Sequence, residues 1–202
     1  KKTELKYFST FVLHTINSFK VEGTGFSVTE AIPLKRALLT LEPGMKGAPV
    51  LTLSFDYEGT VISAGDLQKS ITHFKVSEGD YTYIKYQRDR LWEEECHKKL
   101  ESLGFWSEDK ITYTPGQPQE SVISENYLMI ESVNQCHDEL TGYGFLITSR
   151  LNENYNLKPV SIEISSRMVN DWFDLKAIVT IGSWKIPFSH FRKNILSGIR
   201  EF

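Results

Sequence analysis

Only two cysteines, Cys96 and Cys136, occur in 202 residues. That excludes a disulfide scaffold and suits a reducing, cytoplasmic setting. The chain also has no Asn-x-Ser/Thr sequon. No apolar run approaches the roughly 18 residues of a membrane span, and the longest, such as residues 177–181, are strand-length, so no membrane partner is expected. Neither a secretory leader nor a methionine opens the chain, and Ile199-Arg-Glu-Phe202 reads as an interrupted element, which predicts an excised fragment of a longer protein. Charge of one sign is not in large excess either. The net charge is −3, from 23 basic and 26 acidic residues, whereas a protein that grips nucleic acid through phosphates usually carries a basic domain or stripe. The imbalance is local: residues 101–157 hold two basic and nine acidic residues, and residues 183–202 hold four basic and one acidic.

Motifs of several enzyme classes are missing too. A phosphate-binding loop needs a glycine-rich turn ending in Gly-Lys-Ser/Thr, and Gly44-Met-Lys-Gly47 lacks that ending. Gly23-Thr-Gly25 opens like a dinucleotide fingerprint, but position 28 is Val28, so a plain glycine turn is expected. There is no Gly-x-Ser-x-Gly elbow for a serine nucleophile, and Ser189 beside His190 has a simpler use as a helix cap. Cys96-His97 and Cys136-His137 supply four zinc-ligand types, yet adjacent helical residues point about 100° apart. The cysteines therefore read as core, and His97 and His137 as polar-edge residues. Asp171 and Asp174 flank Trp172-Phe173 as a carboxylate pair would, but a turn and a solvent face account for them. No catalytic, cofactor-binding or metal-binding residue is assigned.

What is present is a chain rich in apolar residues (40%) and aromatics (12%). On folding it should bury about 70% of the surface of its unfolded state. Phe8, Phe11, Val12, Ile16 and Phe19 recur at helical spacing and predict an amphipathic helix over 5–19, with a strand as the alternative because Val12, Thr15 and Ile16 are β-branched. Residues 21–28 predict a short strand with a bulge or turn, and 37–41, 50–57 and 81–86 predict further strands. In 51–57 apolar and polar residues alternate strictly, and Glu58-Gly59 turns the chain into Val61-Ile62. Residues 63–80 have no clear pattern. Asp89 is a natural cap for a helix over 90–103, with Trp92, Cys96, Leu100 and Leu103 as its apolar stripe and Gly104 beyond its end. Residues 106–120 read as loop. A second helix spans 125–141, with Ser124 before it, Gly142 after it, and Met129, Ile130, Val133, Cys136 and Leu140 along one side. The last third reads as sheet. Val160, Ile162 and Ile164 alternate with polar residues. Phe173, Leu175, Ala177, Val179 and Ile181 share a face, Gly182-Ser183 makes a hairpin turn, and Trp184 and Ile186 return. Trp172 and Trp184 read as core or interface, and a short helix runs from a Ser189 cap to Leu196. The expected fold is α+β: mainly antiparallel sheet, two longer helices and a short C-terminal helix, in a single domain over 1–202 with a subdivision near 85–90 left open.

Two basic groups are candidates for nucleic-acid contact. Lys85, Arg88, Arg90, Lys98 and Lys99 lie near Tyr83 and Tyr86, but Asp89 and Glu93 to Glu95 offset them. Arg192, Lys193 and Arg200 form the cleaner group.

Residues 171–196, DWFDLKAIVTIGSWKIPFSHFRKNIL, resemble the region ahead of the motor in bacterial Swi/Snf-family helicases, where a WFD strand, a hairpin and an IPF turn into a short helix recur. LTLSFDYEGTVIS (51–63) and RDRLWEEECHKKLESLGF (88–105) are similar to earlier pieces of that region, in the same order. The resemblance spans roughly residues 20–202. It implies an accessory, non-catalytic, regulatory or scaffolding domain of a DNA-dependent ATPase. Its expected partners are the ATPase lobes of the same chain, and DNA at the margin. ATP and magnesium would belong to those lobes. The rival readings are a direct nucleic-acid-binding module using Arg192, Lys193 and Arg200, and a stand-alone enzyme with a deep pocket.

Overall fold

The computed structural model describes residues 2–45, 47–77, 80–116, 125–151, 157, 160–169, 172–181 and 184–198. The chain opens with α1 (Lys2–Lys6), a π-helical stretch (Tyr7–Val12) and α2 (Leu13–Ser18), joined end to end where the apolar spacing predicts a helix. Next come β1 (Phe26–Ala31), β2 (Lys35–Pro43), β3 (Pro49–Tyr57), β4 (Thr60–Ser63), β5 (Ser70–Ser77) and β6 (Asp80–Gln87). They are followed by α3 (Arg90–Ser102), β7 (Phe105–Trp106), β8 (Thr112–Pro115), α4 (Glu125–Gln135), α5 (His137–Tyr143) and β9 (Phe145–Ser149). The last third holds β10 (Val160–Val169), β11 (Trp172–Ile181), β12 (Trp184–Pro187), a 3-10 turn (Phe188–Phe191) and α6 (Arg192–Leu196). The fold is α+β, with strand outweighing helix.

The strands form three sheets. The central one runs β7-β8-β3-β2-β9, with β4 also paired to β3. The strict alternation in β3 has the expected effect: Leu51, Leu53, Phe55 and Tyr57 are buried and the residues between them are half-buried. Across β2, Leu51, Leu53, Phe55 and Tyr57 face Leu41, Leu39, Ala37 and Lys35, and Ala37 in turn sits beside Phe145 of β9. Cys96 and Leu100 from α3, Met129, Ile130 and Val133 from α4, and Leu140 from α5 join them in one core cluster. The first sheet is β1-β6-β5, covered by the N-terminal helix through Val12, Ile16 and Tyr83. The third sheet is β10-β11-β12. Most pairings are antiparallel, but β1 with β6 and β2 with β9 are parallel.

Several local expectations are corrected. Residues 70–77 are a strand, although their sequence has no clear alternation. Ser70 and Thr72 are buried there because Asn17 serves both, its carbonyl accepting from Ser70 Oγ (3.2 Å) and its Oδ1 from Thr72 Oγ1 (2.6 Å). The strand read into 21–28 begins at Phe26, after the turn at Gly25. The segment read as loop contains β8, held to β3 by Leu51–Tyr113 pairing. The helix over 125–141 is broken at Cys136 and runs on to Tyr143, where Gly144 (φ 107°) takes the left-handed conformation that ends it. Ser189 makes no side-chain cap bond; the 3-10 turn starts after Pro187. The expected Ser124 cap and Gly182-Ser183 turn lie outside the described residues.

Candidate functional site

The most elaborate polar cluster lies where β6 passes into α3. Asp89 caps α3 as expected, its Oδ1 accepting from Trp92 N (3.1 Å). The same carboxylate pairs with Lys35, whose contact holds Asp89 below the usual carboxylate range. One residue earlier, Arg88 is fully buried rather than a surface cation. Its Nε and Nη2 donate to the two oxygens of Glu93 (2.8 and 2.9 Å). Its Nη1 donates to the carbonyls of Asp66 and Gln68 (2.6 and 2.9 Å). Arg90 donates to Glu93 Oε2 and to the same two carbonyls. Tyr57, at the end of β3, donates to Glu93 Oε1 (2.7 Å) and accepts from Asp89 N (3.0 Å). Burial, and then the bond to the Glu93 carboxylate, push the Tyr57 phenol well above its ordinary value. Every strong group here is already paired with protein. The cluster therefore ties β3, the 64–69 connection and α3 together.

His97 is corrected from a polar-edge residue to a buried one. Its Nδ1 lies 2.6 Å from Tyr113 Oη, and burial lowers its pKa. Cys96 faces the core, where burial pushes its thiol up to about 12. Cys136 Sγ lies 3.8 Å from the Leu103 carbonyl, and burial raises it too. Among the described residues no group of three or more His, Cys, Asp or Glu is placed to hold a metal ion. In the 44–47 turn, Gly44 N donates to Ala48 O and Gly47 N to Gly44 O, so these two amides serve the turn itself. Asp171 lies outside the described residues.

The third sheet has a different character. Across its register Ile162 meets Val179 and then Ile186, Ile181 meets Trp184, and Ile164 meets Ala177, so one face is apolar. Only Val179 is buried there, among the described side chains of 160–198. Ile162 is 55% exposed, Ile164 68% and Trp184 71%. The alternation marks this face correctly; of the two roles expected for Trp184, core or interface, its exposure excludes the core. Lys176 and Lys185 stand on the opposite face. On α6, Arg192 and Lys193 are exposed, next to exposed Ile195 and Leu196. Arg200 lies outside the described residues. Of the other basic group, Lys85 donates to the Ile16 carbonyl (2.9 Å), and Lys99 pairs with Glu139 (3.6 Å). The structure does not gather that group into one cationic surface.

Comparison with protein-family models, with curated proteins and with solved structures finds no match.

Proposed function

We propose that the chain is a regulatory or scaffolding domain, without catalysis of its own, of a Swi/Snf-like DNA-dependent ATPase. In this reading the apolar face of the third sheet seats on the ATPase lobes or on a partner protein. The observation that carries it is the solvent-open row of Ile162, Ile164 and Trp184. It lies within the stretch whose sequence resembles the premotor region of those helicases. An apolar sheet face left in water is costly, and a three-stranded sheet gains stability by covering it. The cluster around Arg88 is in keeping with a non-catalytic role, because its charged groups are already satisfied within the fold.

The test mixes the purified chain with separately expressed ATPase lobes of a Swi/Snf-type protein from the same genome and follows association by calorimetry. Association that is lost in Ile164→Asp and in Trp184→Ala is the expected result. ATP hydrolysis by the chain alone, abolished by a point substitution within it, would refute the reading. So would association that neither substitution changes.

A direct nucleic-acid module is favoured by one specific observation: Arg192 and Lys193 are exposed and carry no ion pair among the described residues. It predicts salt-dependent duplex DNA binding that Arg192→Glu with Lys193→Glu removes.

A further inference from the structure

β1 (Phe26–Ala31) is the end strand of the first sheet. It pairs in parallel with β6 on one side, and among the described residues no strand pairs with its other side. Residues 27–31 are all exposed. Such an edge presents a row of unpaired backbone donors and acceptors, which proteins usually blunt with lysine, proline or a bulge. β1 has no lysine and no proline, and its one charge is Glu30. Its register with β6 runs unbroken from Phe26 to Ala31, without a bulge.

A groove of about 570 Å³ runs over one face of this strand. One wall is Phe26, Val28 and Glu30, alternate residues of β1 and therefore one face of it. The other wall includes Phe19 and Val21, from the chain between α2 and β1. That chain is drawn in close: a Cβ at Gly23 would lie 2.7 Å from the ring of Phe26. Phe19 is 68% exposed and Val28 38%, so apolar surface stands open beside the bare edge. The two lysines of the groove are engaged, Lys20 with Glu22 (2.9 Å) and Lys85 with the Ile16 carbonyl (2.9 Å). A second groove, of about 500 Å³, shares Glu30 and continues past the end of the strand to Pro33. There Asp89 holds Lys35, and Glu93 holds Arg88. Glu30, common to both grooves, makes no ion pair among the described residues.

We infer that β1 takes up an extended peptide as an added strand. Apolar side chains at alternate positions of the peptide lie against Phe26 and Val28, and the next residue in that alternation, a lysine or arginine, meets Glu30. The amide row selects an extended polypeptide, because a nucleic acid or a lipid offers no matching alternation of donors and acceptors. A second copy of this chain fits less well. Antiparallel self-pairing centred on Val28 sets Phe26 opposite Glu30, and self-pairing centred on Thr29 sets Val28 opposite Glu30. In no register do residues 26–31 supply a cation for the carboxylate. The site involves neither the third sheet nor Arg192 and Lys193, and the inference does not rest on the proposed ATPase association.

The test uses the whole chain and a fluorescein-labelled heptapeptide, Lys-Thr-Val-Ser-Val-Thr-Lys, read by anisotropy. Its lysines and valines share one face, and a lysine comes opposite Glu30 whichever way the added strand runs. Saturable binding is expected. Glu30→Lys should weaken it about tenfold. A peptide with both lysines changed to glutamate should bind that variant and not the native protein. Glu30 is exposed, so the melting temperature should not move. Main-chain pairing is read from two further peptides, one N-methylated at its valines and the other at its serine and threonines. Successive N–H groups of a strand point to opposite sides, so one peptide should lose binding and the other keep it. No binding overturns the inference, as does binding that Glu30→Lys leaves intact, or that the two methylated peptides keep or lose alike. A concentration-dependent dimer that the peptide dissociates overturns it in favour of self-pairing.

Discussion

Glu93→Gln is the sharpest perturbation of the buried polar cluster, because it keeps the shape and removes only the charge. In the native protein one oxygen of Glu93 accepts from Arg88 Nε and Tyr57 Oη, and the other from Arg88 Nη2 and Arg90 Nη1. A glutamine can keep its Oε1 on the first pair. Its amide nitrogen then meets two guanidinium donors at 2.9 and 3.1 Å, donor against donor. Arg88 is left buried, with Asp66 as its remaining carboxylate, at 3.9 Å. Breaking a buried ion pair from one side costs about 3–5 kcal/mol. At about 2–4 °C per kcal/mol for a chain of this size, the melting temperature should fall by about 10 °C. Urea unfolding followed by tryptophan fluorescence measures this directly, since Trp92 lies beside the cluster, with Lys35 Nζ 4.9 Å from its ring. Arg88→Met should cost less, because Arg90 still faces Glu93. The double variant Arg88→Met with Glu93→Leu should cost less than the two single losses added. A loss under about 1 kcal/mol for Glu93→Gln, with the slope of unfolding against urea unchanged, would show that the pair is not desolvated and would refute the reasoning.

Other outcomes follow from the same structure. Tyr57→Phe removes a donor to a carboxylate and the acceptor for Asp89 N, and should cost about 1.5–3 kcal/mol in the same urea assay. His97 is buried with its pKa lowered, so the unfolded chain takes up the proton first as pH falls. Its stabilising contribution is complete above the unfolded value of about 6.5 and declines below it, so the urea midpoint should drop between pH 7.5 and 5.5, and less so in His97→Asn. With its thiol buried and raised to about 12, Cys96 should resist a thiol reagent at pH 8 in the native protein and react fully in denaturant, as mass spectrometry of the labelled peptide would report. Leu53→Ala, at a fully buried position of β3, should cost about 3 kcal/mol with little change in the unfolding slope.

How far the fold could be read depended on where the burying partner lay. β3 was legible because its alternation is strict and its core side is entirely apolar. The α3 cap was legible because an N-cap interaction is local. β5 was not, because two of its buried positions are Ser70 and Thr72, whose burial is made tolerable by Asn17, more than fifty residues away. His97 follows the same logic: its partner Tyr113 comes from a strand hidden in a proline- and glycine-rich segment. Arg88 and Glu93 are five apart, a spacing outside the helical pairs, and only the bend from β6 into α3 brings them together. In the third sheet, periodicity identified the apolar face but carried no information on whether anything covers it. Phe11 behaves alike: its spacing belongs to the apolar set of the helix, yet its ring faces water.

The parallel pairing of β2 with β9 has a consequence for the protein's synthesis. Thr40 and Thr148, hydroxyl partners across that pair, are separated by 108 residues. At about 5–20 residues per second, one edge of β2 waits roughly 5–20 s on the ribosome for its neighbour. During that interval β2 and β3 form a hydrophobic hairpin with an open row of backbone donors and acceptors, the template on which strands of other chains add. Leu39 and Leu41 on that edge strand make the exposure costly. Yield at high expression rate should therefore depend less on final stability than on how quickly residues 145–149 arrive, so slowing translation between β3 and β9 should increase aggregation even when the finished fold is unchanged.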